Sequence, residues 1–261
     1  MHLLKDNPFR DVGNNSLHAM LLALEQDGRR QWWHLDERID DLDPATFSPC
    51  RRSKSYQHRR NYAGLYPFGA RYDMVAFESL VELICLMELD HGGEVDAIAA
   101  QPFGIIFPDQ SLHYPDFAAR RHDRRIVVID VKPRNLATGD EFVRTAVMTE
   151  EVCNTQGWEY RVMHGCEGWQ AANLQWMCAF RHEEYVPASD LARKVLSYLL
   201  EPHTMEATAH QIDPRLELGI GYPTLSNMLF HRQVVPLEPG PFYSGLMIAA
   251  AEPGGGVESA N

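Results

Sequence analysis

The sequence predicts a mixed α/β protein, in which a sheet flanked by helices is followed by a smaller domain of short helices and one β-hairpin. Apolar residues recur at helical spacing within Tyr72–His91, and two apolar strands follow between His113 and Pro133. A further helix, Asp140–Gln156, leads directly into a strand at Trp158–Met163. Because a strand–helix–strand connection normally returns the chain to the same sheet, these elements predict one α/β core.

The composition predicts a soluble globular protein. The chain has 261 residues, of which 45% are hydrophobic and 23% charged, which is enough for the core of one or two domains. Its apolar runs are too short to cross a bilayer, and Met1–Asp6 does not begin a signal peptide, so we expect no membrane partner. The five cysteines form no CxxC pair, which favours reduced thiols and a cytoplasmic location.

The net charge of −12 is unevenly distributed. Residues 50–72 carry six basic side chains and no acid, residues 73–110 carry eight acids and no Lys or Arg, and residues 111–135 have a net charge of +3. Two basic stretches therefore flank an acidic helix and the proposed metal site, which favours contacts with the phosphates of a nucleic acid, although a solvated basic face explains any single arginine equally well. The candidate DNA contacts are Arg59, Arg60, Arg120 and Arg121.

Changes in composition divide the chain into four segments. The first is expected to be peripheral, with a short helix at Ser16–Glu25 and an anchor at Trp32–Trp33. The last is expected to be disordered, because it is rich in Gly and polar residues. The segments are a peripheral part at 1–49, the α/β core at 50–182, the smaller domain at 187–249 and the tail at 250–261.

The core is predicted to start with the acidic helix and a first strand. Within Tyr72–His91, the residues Glu78 and Glu82 lie one turn apart beside the apolar face, and Gly92–Gly93 ends the helix. Residues Val95–Phe107 alternate enough to form one strand. The two glutamates are either a solvent-facing acidic stripe or a source of one ligand for a nearby metal ion.

The next two strands are predicted to pair as an antiparallel hairpin. Phe117 and Ala119 alternate with their neighbours as in a half-buried strand. The run Arg125–Lys132 is rich in β-branched residues and ends at Pro133, which cannot continue a central strand. The short polar connection His122–Asp123 joins the two strands.

This hairpin carries the residues with the clearest chemical potential. Asp130 and Lys132 project from one face of their strand, and a suitable register would bring Asp116 beside them. Carboxylate oxygens hold Mg²⁺ or Mn²⁺, which polarises a phosphate and acidifies a bound water, while a lysine orients that water or offsets developing charge. The alternative is a solvated Asp-x-Lys ion pair on an edge strand.

The smaller domain is predicted to be winged-helix-like, with three short helices followed by a β-hairpin. Its third helix is nearly uncharged, whereas a helix that reads the major groove normally needs phosphate partners, so we favour a protein-docking module. Thr204 is expected to cap the second helix. The predicted elements are the helices Asp190–Leu200, Thr204–Gln211 and Tyr222–His231, preceded by a helix at 169–182, and the strands Gln233–Leu237 and Phe242–Ile248.

Taken in order, these motifs resemble those of TnsA-like heteromeric transposase endonuclease subunits, members of the PD-(D/E)xK nuclease superfamily. The resemblance covers residues 50–182 and extends more loosely into the smaller domain. The matching stretches are RRNYAGLYPF, FESLVELICLMELD, AAQPF, HYPDFAARR, VVIDVKP, GWEYRVM and LQWMCAFRH.

The resemblance implies a restriction-endonuclease-like fold and a Mg²⁺-dependent DNA endonuclease, with Mn²⁺ as an alternative metal. It implies double-stranded DNA as the substrate, nicking of the non-transferred strand at transposon ends, and an integrase-type transposase and an AAA-type ATPase as partners. By position, Glu82, Asp116, Asp130 and Lys132 match the catalytic residues, with Glu78 as the alternative helix acid. The metal ligands would be Glu82, Asp116, Asp130 and the main-chain oxygen of Val131. The family more often has Glu or Gln where this chain has Asp130.

Two other functions stay open at the level of the sequence. The same fold and residues suit a free-standing restriction or repair nuclease. The chain could also serve as a non-catalytic adaptor, in which the winged-helix-like part recruits partners. Mg²⁺-dependent cleavage separates the adaptor from both nucleases.

Overall fold

The structure, a computed structural model, describes residues 17–39, 42–51 and 62–252. The chain divides into two compact units after Gly165, earlier than the predicted boundary at residue 182. Candidate contacts Arg59 and Arg60 lie outside the described residues, as does most of the predicted disordered tail. None of the helices in the described ranges is long and apolar enough to cross a membrane.

The first unit is mixed α/β, as predicted. Its helices are α1 (Leu80–Gly92) and α2 (Asp140–Gln156). Its strands are β1 (Met20–Glu25), β2 (Arg30–His34), β3 (Phe47–Ser48), β4 (Gly64–Phe68), β5 (Asp73–Phe77), β6 (Val95–Ala100), β7 (Phe103–Ile106), β8 (Leu112–His113), β9 (Phe117–Arg121), β10 (Ile126–Val131) and β11 (Glu159–Met163), with short 3-10 turns at Pro44–Thr46 and Arg134–Leu136.

Three sheets are formed by these strands. One has the order β2-β1-β7-β8, with β3 also paired to β1, and the small hairpin β4-β5 stands apart. The sheet that carries the candidate site has the order β11-β10-β9-β6. In this sheet β9 and β10 are antiparallel, whereas β10 and β11 are parallel, so both the predicted hairpin and the predicted return through α2 are confirmed.

Both faces of β10 are buried, which explains its unbroken run of β-branched residues. Ile126 and Val128 pack with α2 and the first sheet, whereas Val127 and Ile129 pack with α1 and the small hairpin. Asp130 continues the face of Ile126 and Val128, because side chains alternate along a strand.

Three predicted elements differ from the structure. Ser16–Glu25 contains the strand β1 instead of a helix, and its residues Met20–Ala23 are buried between β2 and β7 instead of being peripheral. The predicted helix at Tyr72–His91 begins at Leu80, because Asp73–Phe77 pair with β4. The predicted strand Val95–Phe107 is broken at Gln101, which has a φ of 46°, and its halves join different sheets.

The second unit contains helices and a three-stranded sheet. Thr204 caps α5 as predicted, because its hydroxyl accepts a hydrogen bond from the backbone N–H of Ala207. The predicted second strand of the hairpin is shifted, since Met247–Ala250 pairs with both neighbours. The elements are α3 (Gly168–Ala179), α4 (Ser189–Tyr198), β12 (His203–Thr204), α5 (Met205–Ile212), α6 (Gly221–Phe230), β13 (Val234–Pro236) and β14 (Met247–Ala250), with a 3-10 turn at Glu183–Tyr185 and the sheet order β12-β14-β13.

Candidate functional site

Asp116 and Asp130 face each other across the open end of the β9–β10 hairpin. The register pairs Ile129 with Phe117, so extending it by one residue places Asp130 opposite Asp116. The Oδ2 atom of Asp116 accepts a hydrogen bond of 2.7 Å from the backbone N–H of Val131. Strand pairing and this hydrogen bond therefore hold the two aspartates side by side.

Asp116 lies in an environment that disfavours its charge. Its pKa is raised from the usual 3.8 to about 7, chiefly by burial and also by the carboxylates of Asp130 and Glu82, against the lowering effects of the Val131 N–H and His113. A carboxylate interacts with other carboxylates in this way only when they lie close by. The carboxylates of Asp130 and Glu82 therefore both disfavour the charged form of Asp116.

Asp130 is held by two side chains that sequence reasoning missed. It is only 3% exposed, and its Oδ2 accepts a hydrogen bond of 2.7 Å from the hydroxyl of Tyr160 on β11. The Nε2 atom of His113 on β8 lies 3.0 Å from Oδ1 and 2.9 Å from Oδ2. Burial and the neighbouring Asp130 raise the pKa of Tyr160, so this hydroxyl remains a proton donor to the carboxylate.

The signal for these partners was weak at the level of the sequence. His113 opens the stretch HYPDF, three residues before Asp116, and Tyr160 occurs at an alternate position of the predicted strand Trp158–Met163. His113 lies on β8 and Tyr160 on β11, which belong to different sheets, and only the folded structure brings both side chains to Asp130. A sequence pattern cannot report that convergence.

Glu82 has a structural role at the start of α1. The hydroxyl of Ser79 accepts a hydrogen bond from the Glu82 N–H, while the Glu82 carboxylate accepts from the Ser79 hydroxyl at 2.9 Å and from the Glu78 N–H at 2.6 Å. This arrangement is a variant of the capping box, in which the glutamate accepts from the N–H of the residue before the N-cap, and it stabilises a helix N-terminus. Burial, followed by repulsion from Glu78, raises the pKa of Glu82.

Glu78, the alternative helix acid, precedes α1 instead of lying one turn before Glu82 within it. Its Oε2 lies 2.7 Å from Nη2 of Arg51, in an ion pair whose glutamate side chain is 12% exposed. Of the two glutamates, Glu82 is among the main groups that raise the pKa of Asp116.

Lys132 directly follows β10. Its ammonium nitrogen lies 5.3 Å from the ring centroid of Phe142 on α2, a cation–π contact, and it forms no ion pair with a described residue. Its backbone is fixed by a hydrogen bond of 2.9 Å from its N–H to the Met163 carbonyl. The carbonyl oxygen of Lys132 also lies 2.7 Å from Nδ1 of His164. The backbone of Lys132 is thus fixed, and its ammonium has no carboxylate partner among the described residues.

The donor chemistry of the site fits a hard divalent cation, although the arrangement is incomplete. Burial and like-charge repulsion at Asp116 are relieved by a cation. Nevertheless, across the described ranges no group of three His, Cys, Asp or Glu residues is placed to hold a metal ion. The oxygens of Asp130 and Glu82 already accept hydrogen bonds from protein donors, whereas Oδ1 of Asp116 accepts none from a described residue.

The predicted DNA contacts on β9 are engaged in ion pairs. Arg120 pairs with Asp43 and, at 3.1 Å, with Asp96. Arg121 lies 3.2 Å from Glu159 and 3.3 Å from Glu94, so both guanidinium groups have their charge partly neutralised within the protein. Such partly exposed pairs contribute about 1 kcal/mol or less each, so a phosphate could displace them at small cost.

Comparison with known proteins identifies no relative for this chain: no family model matches it, and no curated protein matches it significantly.

Proposed function

We propose that the protein is a Mg²⁺-dependent DNA endonuclease subunit of a heteromeric transposase, which nicks the non-transferred strand at transposon ends. The observation that carries this proposal is the pairing of Asp130 with the buried Asp116 across the hairpin, beside the Val131–Lys132 backbone, with Glu82 among the groups that raise the pKa of Asp116. The mixed sheet with its parallel return through α2 is compatible with a restriction-endonuclease-like fold.

In the proposed mechanism, Asp116, Asp130, Glu82 and the carbonyl of Val131 hold Mg²⁺ or Mn²⁺. When bound, such a metal supplies an acidified water and polarises the scissile phosphate. Asp116 must lose its proton to act as a ligand, and its pKa of about 7 makes this ionisation sensitive to pH near neutrality. Lys132 offsets charge on the phosphate, which its unpaired ammonium in the described structure allows.

His113 and Tyr160 act as positioning residues in this proposal. Their hydrogen bonds fix the orientation of Asp130, as the partners of metal-binding carboxylates usually do. Both oxygens of Asp130 have a protein donor within 3.0 Å. A metal ion bound to Asp130 would therefore compete with these two donors for its carboxylate oxygens.

The second unit is proposed to be a winged-helix-like docking module for the AAA-type ATPase. Helix α6 corresponds to the predicted third helix of the smaller domain, and its residues Thr224–Phe230 are all buried. A helix whose side chains are buried cannot insert them into a major groove. This burial argues against a DNA-reading role for α6. Contact with a protein partner and a cytoplasmic location are part of the same proposal.

The decisive experiment measures nicking of a plasmid with transposon ends in the presence of Mg²⁺ and the candidate transposase and ATPase. Asp116→Ala and Lys132→Ala should each abolish nicking, whereas Asp27→Ala, an exposed aspartate paired with Arg29, should not. Circular dichroism checks that the variants are folded. Nicking by either site variant at the rate of the unaltered protein would refute the assigned chemistry.

A non-catalytic adaptor is the second candidate, and the satisfied oxygens of Asp130 and Glu82 favour it. In that case Mg²⁺ should neither support cleavage nor raise the melting temperature of the protein. A free-standing restriction or repair nuclease would instead cleave without the transposase and the ATPase. Genes for a transposase and an ATPase beside this reading frame would favour transposition.

A further inference from the structure

An arginine-lined cavity lies at the closed end of the β9–β10 hairpin, opposite the end that carries the acids. Its volume is about 210 Å³, which leaves room for several water molecules. Ile126 lines the cavity and lies four residues before Asp130 on β10. The cavity and the acids are therefore separated by about 14 Å along the strand. The residues that line it include four arginines and one aspartate: Arg38, Arg120, Arg124, Arg125 and Asp43.

The charge balance of this cavity is positive in a protein whose net charge is −12. Four arginines against Asp43 leave a net charge of +3 in the lining. Counting Asp96, which pairs with Arg120, and Asp123, which pairs with Arg125, still leaves +1. Arg38 and Arg124 form no ion pair with any residue that the structure describes; Asp40 and Asp41 lie outside those residues.

Arg38 is held in place by the end of helix α2. The buried side chain of Gln156 accepts a hydrogen bond of 2.8 Å from the Ile39 N–H and donates one of 2.9 Å to the Glu37 carbonyl. The Nε atom of Arg38 donates to the Gln156 carbonyl at 3.3 Å. Its guanidinium lies against Gly157, where any Cβ would collide with it. Arg38 therefore enters the cavity from a fixed backbone.

Arg124 is presented by the tight turn of the hairpin. Its backbone has a φ of 68°, and its N–H donates to the Arg121 carbonyl at 2.9 Å. Its side chain makes no hydrogen bond within the described part of the chain. A residue in this strained conformation costs roughly 1–2 kcal/mol, which the turn must offset.

We propose that this cavity binds a phosphate group, and that in the intact protein the ligand is a backbone phosphate of DNA. Planar guanidinium groups suit the tetrahedral oxygens of phosphate, because each offers two parallel N–H donors. The phosphate chemistry rests on the cavity alone, whereas its assignment to DNA rests on the proposed function. A contact here would hold the duplex at a second point, about 14 Å of strand from the acids.

The first test measures binding of a generic DNA duplex by fluorescence anisotropy, in EDTA and over a range of salt concentrations. Arg38→Gln combined with Arg124→Gln should weaken binding about tenfold, the loss of one charge-assisted contact, and should reduce the salt slope by about 0.9 for one lost phosphate. The single Arg124→Gln variant leaves the Gln156 contact intact and should show a smaller change in the same direction. Arg29→Gln, an exposed arginine outside the cavity, is the matched control.

The second test compares inorganic phosphate with chloride at equal ionic strength by thermal unfolding. If phosphate raises the melting temperature of the unaltered protein and of Arg29→Gln, but not of the double variant, the cavity also takes free phosphate. A loss of DNA affinity without this effect assigns the site to phosphodiesters alone. If the double variant behaves like Arg29→Gln in both assays, the arginines serve internal ion pairing and the proposal is overturned.

The two proposals fail separately. Asp116→Asn should lose nicking but keep the salt slope of the unaltered protein, because its cavity is intact. An Asp116→Asn variant that still nicks, together with cavity variants that lose slope, would refute the nuclease site and leave the phosphate site standing.

Discussion

Asp116→Asn should stabilise the metal-free protein at neutral and alkaline pH. The pKa of Asp116 is raised from 3.8 to about 7 in the folded state, so the folded protein holds a proton that the unfolded chain has released. The stability contributed by this proton is fully present below pH 3.8 and is lost as the pH rises to about 7. Asparagine removes the titration while its side-chain oxygen can still accept from the Val131 N–H.

The magnitude follows from the raised pKa. Each pH unit between the two pKa values changes the free energy of unfolding by about 1.4 kcal/mol. From pH 5 to the raised pKa of about 7 there are about two pH units, over which the unaltered protein loses stability. The free energy of unfolding of Asp116→Asn relative to the unaltered protein should therefore be about 3 kcal/mol higher at pH 8 than at pH 5. Urea denaturation in EDTA at both pH values measures this difference.

The matched control is Asp109→Asn, which should lower the stability by the same amount at pH 5 and at pH 8. Hydrogen bonds from Ser111 lower the pKa of Asp109, so its stabilising effect is present at neutral pH and is lost as the pH falls through the lowered pKa. If the stability difference between Asp116→Asn and the unaltered protein is the same at pH 5 and pH 8, the reasoning on this site is refuted. Mg²⁺ should also stabilise the unaltered protein more than Asp116→Asn, since the cation needs the carboxylate.

Three further substitutions test the packing around the site, each by urea denaturation. Tyr160→Phe removes one donor to the buried carboxylate opposite Asp116 and should cost about 1–3 kcal/mol; unchanged stability would show that this hydrogen bond contributes nothing. Gly157→Ala should cost more than Gly28→Ala, because both glycines have a positive φ but only Gly157 lies against Arg38; equal losses would contradict that contact. Ser79→Ala removes the cap of α1 and should cost about 1 kcal/mol, and a neutral effect would argue against the capping box.

The elements predicted correctly are those specified by neighbouring residues. The β9–β10 hairpin follows from β-branched residues, a short polar connection and Pro133. Helix α2 ends at Gly157, whose φ of 72° is readily adopted only by glycine, so its boundary was visible in the sequence. Where local preferences and final structure agree, one stretch is enough to identify the element.

The errors arose where a distant partner decided the structure. The apolar run Met20–Glu25 suits either a buried helix or a strand, and the pairing with Phe103–Ile106, far along the chain, makes it a strand. In the same way, pairing with β4 converts Asp73–Phe77 from the predicted start of a helix into a strand. Backbone hydrogen bonds to remote segments override local periodicity in both cases.

For the candidate site, the sequence by itself determined the chemical types: two aspartates and a lysine on one hairpin, with an acid on a nearby helix. Only the tertiary structure decided that Asp116 loses its charge readily, that His113 and Tyr160 hold Asp130, and that arginines from separate segments share one cavity. The physical reason is that burial and electrostatic repulsion depend on distances in space, and these are set by strand pairing between segments that are remote along the chain.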